Sequence, residues 1–271
     1  KEYQQAIDTY LKLTIDYPES RLIDAGLYQL AQGYYKQENF GVSQQYFLKL
    51  IKGYPESKYL PKAIYWLGWT YYSQGKYEDA LTIYQQVIDK FPVSATKQAS
   101  LADEAQYQIG TCLYNLKRFK EAGDAYQKVI KNLDASTKIK KDALYQLGNC
   151  LFQQKKYNEA IAVYRNFIQT NPEEKELCAE LRYRIGEICY NQGEIKKAIE
   201  EYNLLIDEYP KSTQIDSALY WLGRCFIKDN DKTSAIMTFR ALVRQYPDSE
   251  WMADSQFRIG VCLYEEGEYK E

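Results

Sequence analysis

Residues 60–92 read LPKAIYWLGWTYYSQGKYEDALTIYQQVIDKFP. Two amphipathic helices and the break between them are legible in this stretch. Pro61 suits a first helical turn, where its missing N–H is no loss. Ile64, Leu67, Gly68, Tyr71 and Tyr72 recur at helical spacing, and Gly75 supplies a left-handed cap. A second helix starts near Tyr77, with Ala80, Tyr84, Val87 and Ile88 on one face, and Pro92 ends it. Gly68 and Ala80 are small because two helices must approach closely there, and the rings of Tyr65 and Tyr84 fill the space beside them. The segment is an antiparallel helical hairpin, too short to bury both faces alone, so neighbours must stack on it.

The same unit returns along all 271 residues. Aromatic-proline pairs stand at Tyr17-Pro18, Tyr54-Pro55, Phe91-Pro92, Tyr209-Pro210 and Tyr246-Pro247, with Asn171-Pro172 in the series. A small landmark recurs at Ala31, Gly68, Gly110, Gly148, Gly186, Gly223 and Gly260. Three residues before it comes Tyr28, Tyr65, Tyr107, Tyr145, Tyr183, Tyr220 or Phe257. Twelve after it comes Ser43, Ala80, Ala122, Ala160, Ala198 or Ala235. Sixteen after it comes Phe47, Tyr84, Tyr126, Tyr164, Tyr202 or Phe239. This recurrence explains why 28 of the 271 residues are tyrosine.

The string Leu67-Gly68-x-x-Tyr71-x-x-x-Gly75-x-Tyr77-x-x-Ala80-x-x-x-Tyr84, closing at Pro92, resembles the tetratricopeptide repeat over essentially the whole chain. The resemblance implies an all-α, right-handed superhelical solenoid of helix-turn-helix repeats in one continuous array over 1–271. Half a repeat is expected at 1–23, complete repeats at 24–60, 61–102, 103–140, 141–178, 179–215 and 216–252, and half a repeat at 253–271. Lys1-Glu2-Tyr3 reads as the start of a second helix, and Glu268-Tyr269-Lys270-Glu271 as the start of the next one. The expectation is therefore a piece of a longer protein. The extended period and the Tyr-Pro-x-Ser endings resemble bacterial envelope members of the Tol-Pal coordinator and BamD-like kind. That likeness implies a periplasmic or outer-membrane-associated setting in preference to the cytoplasm.

Two repeats deviate. The spacing between Pro92 and Gly110 grows through Val93 to Leu101, so the loop is longer or the next helix starts early. The following unit has Asp134 where proline is due, and Asp134-Ala135-Ser136-Thr137 is the expected place for a change of pitch. Ile195 and Lys232 replace the aromatic due at the turn.

The composition excludes several kinds of chemistry. The chain has no histidine, which removes histidine nucleophile pairs, histidine metal sites and a histidine general base. A net charge of −2 gives no long-range field for nucleic acid. No apolar run is long enough to insert in a membrane. Cys112, Cys150, Cys225 and Cys262 lie two residues after the landmark and read as small interior residues. Cys178 and Cys189 do not have metal-ligand spacing. The acidic pairs Glu173-Glu174 and Glu265-Glu266 read as solvated faces, and no phosphate-binding loop is present. No enzymatic activity and no cofactor are expected.

What remains is a surface. In such a solenoid the first helices line the concave side, and rings three before and four after each landmark form a ladder along it. The candidate partner-binding residues are Tyr65, Trp66, Trp69, Tyr72, Tyr107, Asn149, Arg184, Trp221, Arg224 and Arg258. Trp66 and Trp221 occupy an offset that is Gln or Arg elsewhere, and Trp69 an offset that is mostly polar. Exposed tryptophans of this kind are frequent binding anchors. Trp251, which precedes a first helix, is expected to pack between repeats. The resemblance also carries a carboxylate clamp, but its lysine site is aromatic in all seven registers, so chaperone-tail recognition is not implied. The function expected is a scaffold or adaptor holding an extended peptide or partner helix in an aromatic groove, with little dependence on salt. A glycan- or peptidoglycan-associated module and a self-assembling architectural segment stand as alternatives.

Overall fold

The computed structural model describes residues 2–91 and 99–266. Among them are α1 (Glu2–Asp16), α2 (Ile23–Lys36), α3 (Phe40–Gly53), α4 (Leu60–Ser73), α5 (Tyr77–Lys90), α6 (Ala99–Asn115) and α7 (Phe119–Lys131). There follow α8 (Thr137–Gln153), α9 (Tyr157–Thr170), α10 (Lys175–Asn191), α11 (Ile195–Glu208), α12 (Ile215–Lys228), α13 (Lys232–Gln245) and α14 (Met252–Glu266). The fold is all-α, as expected, a run of stacked helical hairpins. The chain divides into two compact units, 1–156 and 157–271. In the first, α2/α3, α4/α5 and α6/α7 are hairpins, α1 packs on α2, and α7 packs on α8. In the second, α10/α11 and α12/α13 are hairpins, α9 packs on α10, and α14 packs on α13. Residue 1, residues 92–98 and residues 267–271, on which several sequence expectations fall, lie outside the described residues.

The landmark glycine exists because an aromatic ring lies on it. A Cβ on Gly68 would sit 2.6 Å from the Tyr84 ring; on Gly110, 2.7 Å from Tyr126; on Gly186, 2.7 Å from Tyr202; and on Gly223, 2.6 Å from Phe239. These rings are fully buried, as are Phe47 and Tyr164 at the same register. The small residues at Ala80, Ala122, Ala160, Ala198 and Ala235 are buried too. At Ser43 the hydroxyl donates to the Ala31 carbonyl at 2.7 Å.

The turn inside each hairpin is closed by one residue in the left-handed region, as at Gly75 (φ 73°) and Gly193 (φ 79°). Four other copies place a side chain there: Glu38, Lys117 and Lys155 at φ 60° and Asn230 at φ 63°. The same hydrogen bonds hold them, for example Lys117 N–H to Tyr114 and Arg118 N–H to Leu113, both 2.9 Å. Between hairpins, the Tyr-Pro-x-Ser ending is a tight turn. Ser57 N–H donates to Tyr54 at 3.0 Å, and the serine hydroxyl accepts from Tyr59 N–H at 3.1 Å. That hydroxyl also donates to Asp24 of the preceding first helix at 2.6 Å. Ser249 repeats the arrangement with Asp216 at 2.6 Å.

The two deviant junctions have a shared origin. Helices α6, α8 and α10 each have 17 residues, one turn more at the N-terminus than the 14 of α2, α4 and α12. Asp134 has replaced the proline, and Ser136 caps the early start of α8 by accepting from Ile139 N–H at 3.3 Å. The early start of α10 was not foreseen.

Two predictions follow from this packing. In the 271-residue chain, Gly68→Ala is expected to destabilise by about 1–2 kcal/mol, since overpacking against a buried ring exceeds the gain in helix propensity. Gly260, the same register with no described residue within 4 Å, should instead gain roughly 0.5–1 kcal/mol as alanine. Lys117→Gly and Lys155→Gly should each stabilise by about 1 kcal/mol by removing left-handed strain. Urea unfolding of the variants reads all of these.

Candidate partner-docking face

Successive first helices touch directly, α4 with α6, α6 with α8, and α10 with α12. Their shared face carries the expected rings, but the rings divide into two layers. Three residues before the landmark, Tyr107, Tyr145 and Tyr183 are partly exposed, whereas Tyr28, Tyr65 and Tyr220 are buried. Neighbouring repeats seal them: Tyr28 stacks on Tyr59 at 5.2 Å, and Tyr220 on Trp251 at 4.3 Å. Tyr65 leans on Tyr84 at 5.6 Å. Trp251 also donates its indole N–H to Ser217 at 3.1 Å, the inter-repeat role expected of it. In the first unit Trp66, Trp69, Tyr72 and Tyr107 belong to a partly exposed layer, together with Tyr35, Tyr114, Tyr145 and Phe152.

Two of these rings also serve the fold. Trp66 meets Tyr35 of the preceding repeat edge-on at 5.3 Å. In the second unit Trp221 meets Tyr190 in the same way at 5.1 Å. The large ring at this otherwise polar offset is therefore partly an inter-repeat wedge, which its spacing alone did not reveal. Trp69 meets Tyr72 at 5.5 Å, and Tyr72 accepts from Asn115 Nδ2 at 3.2 Å. Where the turn aromatic is present it covers the ring four after the landmark, as Tyr77 does Tyr72 at 5.3 Å. Where Ile195 stands instead, Tyr190 is covered by Trp221, by Arg224 at 5.6 Å and by Lys228 at 3.8 Å.

The polar candidates are already engaged within the chain. Asn149 donates to Gln146 at 3.3 Å. Arg184 donates to Glu180 at 2.7 Å. Arg258 donates to Asp254 at 2.6 Å, and that carboxylate also accepts the Tyr220 hydroxyl at 2.5 Å. Arg224 lies over Trp221 at 4.7 Å. The ten candidates thus form two groups: Tyr65, Trp66, Trp69, Tyr72, Tyr107 and Asn149 in the first unit, and Arg184, Trp221, Arg224 and Arg258 in the second.

A row of carboxylates escaped the sequence reading. Glu104, six before its landmark, hydrogen-bonds the Tyr65 hydroxyl, whose other neighbours are Trp69 and Gln108. Burial pushes that hydroxyl up to about 12, and burial also raises the carboxyls of Glu104 and Asp103. Asp103, Glu104 and Asp142 line one cavity between α6 and α8. The face of the first unit is therefore not charge-poor, and the expectation of weak salt dependence is revised there. The signal was present in the alignment of repeats as Glu104, Asp142, Glu180 and Asp254 at one offset.

Nothing described assembles a reaction centre. The six cysteines are free and buried, and burial pushes the Cys112, Cys150 and Cys225 thiols up to about 12. Such thiols stay protonated and unreactive. No cluster able to hold a metal ion occurs among the described residues. Glu201, buried in the second unit, is held by Arg165 at 2.6 Å and Arg182 at 3.1 Å, so both of its oxygens are committed to structure.

Comparison with known proteins agrees with the repeat geometry. Tetratricopeptide repeat family models match residues 28–95, 65–137, 151–219 and 217–249. No curated protein is matched by the sequence. Among solved structures, the C-terminal part of a TPR repeat-containing protein from Cytophaga hutchinsonii has a TM-score of 0.75 at 17% identity. The match covers 94% of each chain. The apo form of RapI has a TM-score of 0.70 at 14% identity, covering 97% of this chain and 80% of its own. YrrB, described as a TPR protein with an unusual peptide-binding site, has a TM-score of 0.54 at 18% identity, covering 78% of this chain and 97% of its own. At these identities the likeness establishes the fold.

The buried tyrosines predict an alkaline limit. Tyr65 and Tyr183 are pushed up to about 12, and Tyr84, Tyr126 and Tyr202 higher still, by burial above all. The folded state keeps protons that the unfolded chain releases, so stability is level below about pH 10 and falls as the pH rises through about 12. The Tyr84 and Tyr202 hydroxyls have no hydrogen-bond partner, whereas that of Tyr126 lies 3.2 Å from Thr111. Tyr84→Phe and Tyr202→Phe should stabilise by about 1 kcal/mol, while Tyr126→Phe should not. Thermal melts at about pH 7 and about pH 11 test both points.

Proposed function

Because the chain belongs to the tetratricopeptide repeat family, we propose that it is a non-enzymatic scaffold or adaptor whose first-helix face grips a protein partner. Proteins of this family are in general interaction modules. The finer reading is that an extended peptide or partner helix lies in an aromatic groove along α4, α6 and α8, anchored by Trp66, Trp69, Tyr72 and Tyr107. Tyr65 contributes its hydroxyl edge and Asn149 a polar flank. Trp221, Arg224, Arg184 and Arg258 form a second patch, in the other unit. The observation that carries the reading is the set of large rings, two of them tryptophan, left partly exposed on that face while the rings packed on the landmark glycines are sealed. Such rings offer contact area with little conformational entropy to lose. YrrB, similar in fold, is described as having a peptide-binding site, and this chain is proposed to bind in the same general manner.

The proposal treats 1–271 as one continuous array. It also retains bacterial envelope association, on the strength of the Tyr-Pro-x-Ser endings. No helix among the described residues is long and apolar enough to cross a membrane.

The test is loss of a native partner. Trp66→Ala with Trp69→Ala is expected to weaken binding by roughly 30-fold, the effect of losing about 2 kcal/mol at an anchor. Because Trp66 also wedges two repeats together, Trp69→Ala alone and Trp66→Phe accompany the double variant. Undiminished capture of native partners with an unchanged circular dichroism spectrum removes the groove assignment.

A further inference from the structure

The cavity between α6 and α8 has a volume of about 250 Å³. That is below the range of roughly 300–1,000 Å³ usual for whole small ligands and suits a single side chain. Its walls include Asp103, Glu104, Tyr107, Gln108 and Asp142, with Lys138 at the rim. Lys138 is exposed, so the lining holds three carboxylates and one solvated ammonium, with Lys140 acting on Asp103 and Lys62 on Glu104 from outside it.

Two buried acceptors in this wall have no donor. Asp103 is 4% exposed and Gln108 8%, and neither Asp103 Oδ2 nor Gln108 Oε1 receives a hydrogen bond. Leaving such a group unpaired is costly, more so when it is charged. The repeats supply an internal control. Asp24 and Asp216 occupy the same register as Asp103, and each has both oxygens satisfied. Asp24 accepts from Ala25 N–H and from Ser57, and Asp216 from Ser217 N–H and from Ser249. At Asp103 the serine of the same register, Ser136, caps α8 by accepting from Ile139 N–H, and Asn132 satisfies only Oδ1, at 2.6 Å. The repeat of α6, one of the three with an early helix start, thus leaves an acceptor unfilled beside a cavity.

We infer that this cavity is a socket for an arginine side chain of the bound partner peptide. The inference rests on the groove reading above and adds a charge requirement to it. A planar guanidinium offers five N–H donors in a fixed fork, which matches acceptors arranged on several sides. The half-buried Tyr107 ring gives its face a surface to stack on. Burial disfavours the anionic forms of Asp103 and Glu104, and a cation between them reverses that penalty. A lysine supplies charge but not the fork, and a neutral isostere supplies shape but not charge.

The experiment selects peptides from a random dodecapeptide library on the 271-residue chain and, in parallel, on its Trp69→Ala, Asp103→Asn and Asp142→Asn variants. Selected peptides are then synthesised with the arginine kept or replaced by lysine or citrulline, and binding is read by fluorescence anisotropy. Peptides that depend on Trp69 are expected to share one arginine. Citrulline should weaken binding to the unmodified chain by about 10-fold or more, and lysine by less. The citrulline effect should shrink to within about 3-fold on Asp103→Asn and on Asp142→Asn. The second variant guards against loss of folding at Asp103, and circular dichroism checks both. Trp69-dependent peptides without arginine, or a citrulline penalty equal on all chains, overturn the socket and leave the groove standing. If no peptide depends on Trp69, the groove reading itself fails and the socket with it.

Discussion

The contact of one aromatic ring with one glycine sets the geometry of every hairpin for which it is described. The ring sixteen residues on lies flat against the backbone of the first helix, at a distance no Cβ could share. This brings the two helices close and excludes water from the ring. It also leaves the Tyr84 and Tyr202 hydroxyls without a partner, while that of Tyr126 meets Thr111. Phenylalanine at Phe47 and Phe239 serves the same packing without that difficulty. Ring area, and not the hydroxyl, is therefore what the contact requires.

From this contact follows the separation of functions between layers. Rings that pack on the glycine, with Tyr28, Tyr65 and Tyr220 three residues before it, are consumed in holding the structure together. Trp66, Trp69, Tyr72 and Tyr107 keep surface for a partner. Trp66 and Trp221 do both, since each wedges against the preceding repeat and keeps an edge toward solvent. Their removal should therefore be read with a stability control beside it. The chemistry of the face is likewise shaped by the repeat: a carboxylate, a tyrosine hydroxyl and an amide or guanidinium are neighbours at Glu104, Tyr65 and Gln108, and again at Asp254, Tyr220 and Arg258.

How much of this was legible beforehand depends on the range of the interaction. Pro61 at a helix start, Gly75 in a left-handed turn and the interior cysteines follow from contacts within a few residues or from register alone, and the structure agrees with each. Trp251 was placed correctly because its position outside the first helix leaves it only a neighbour to touch. Register does not decide exposure along the ladder: Tyr28, Tyr65 and Tyr107 are equivalent in spacing, yet Tyr59 covers Tyr28 while no described ring stacks on Tyr107 in that way. The acids at Asp103, Glu104 and Asp142 went unremarked because a surface carboxylate is ordinarily solvated. Their distinction lies in what surrounds them.

The residue order alone determined the helices, their turns, the period and the interior positions, because each rests on spacing along a single hairpin and is repeated often enough to be unmistakable. Tertiary structure decided which rings a partner can reach and which carboxylate is left half-satisfied. Those depend on how far each first helix extends beyond its neighbour, 17 residues against 14. One added helical turn changes what covers the next repeat, and no periodicity within the chain encodes that.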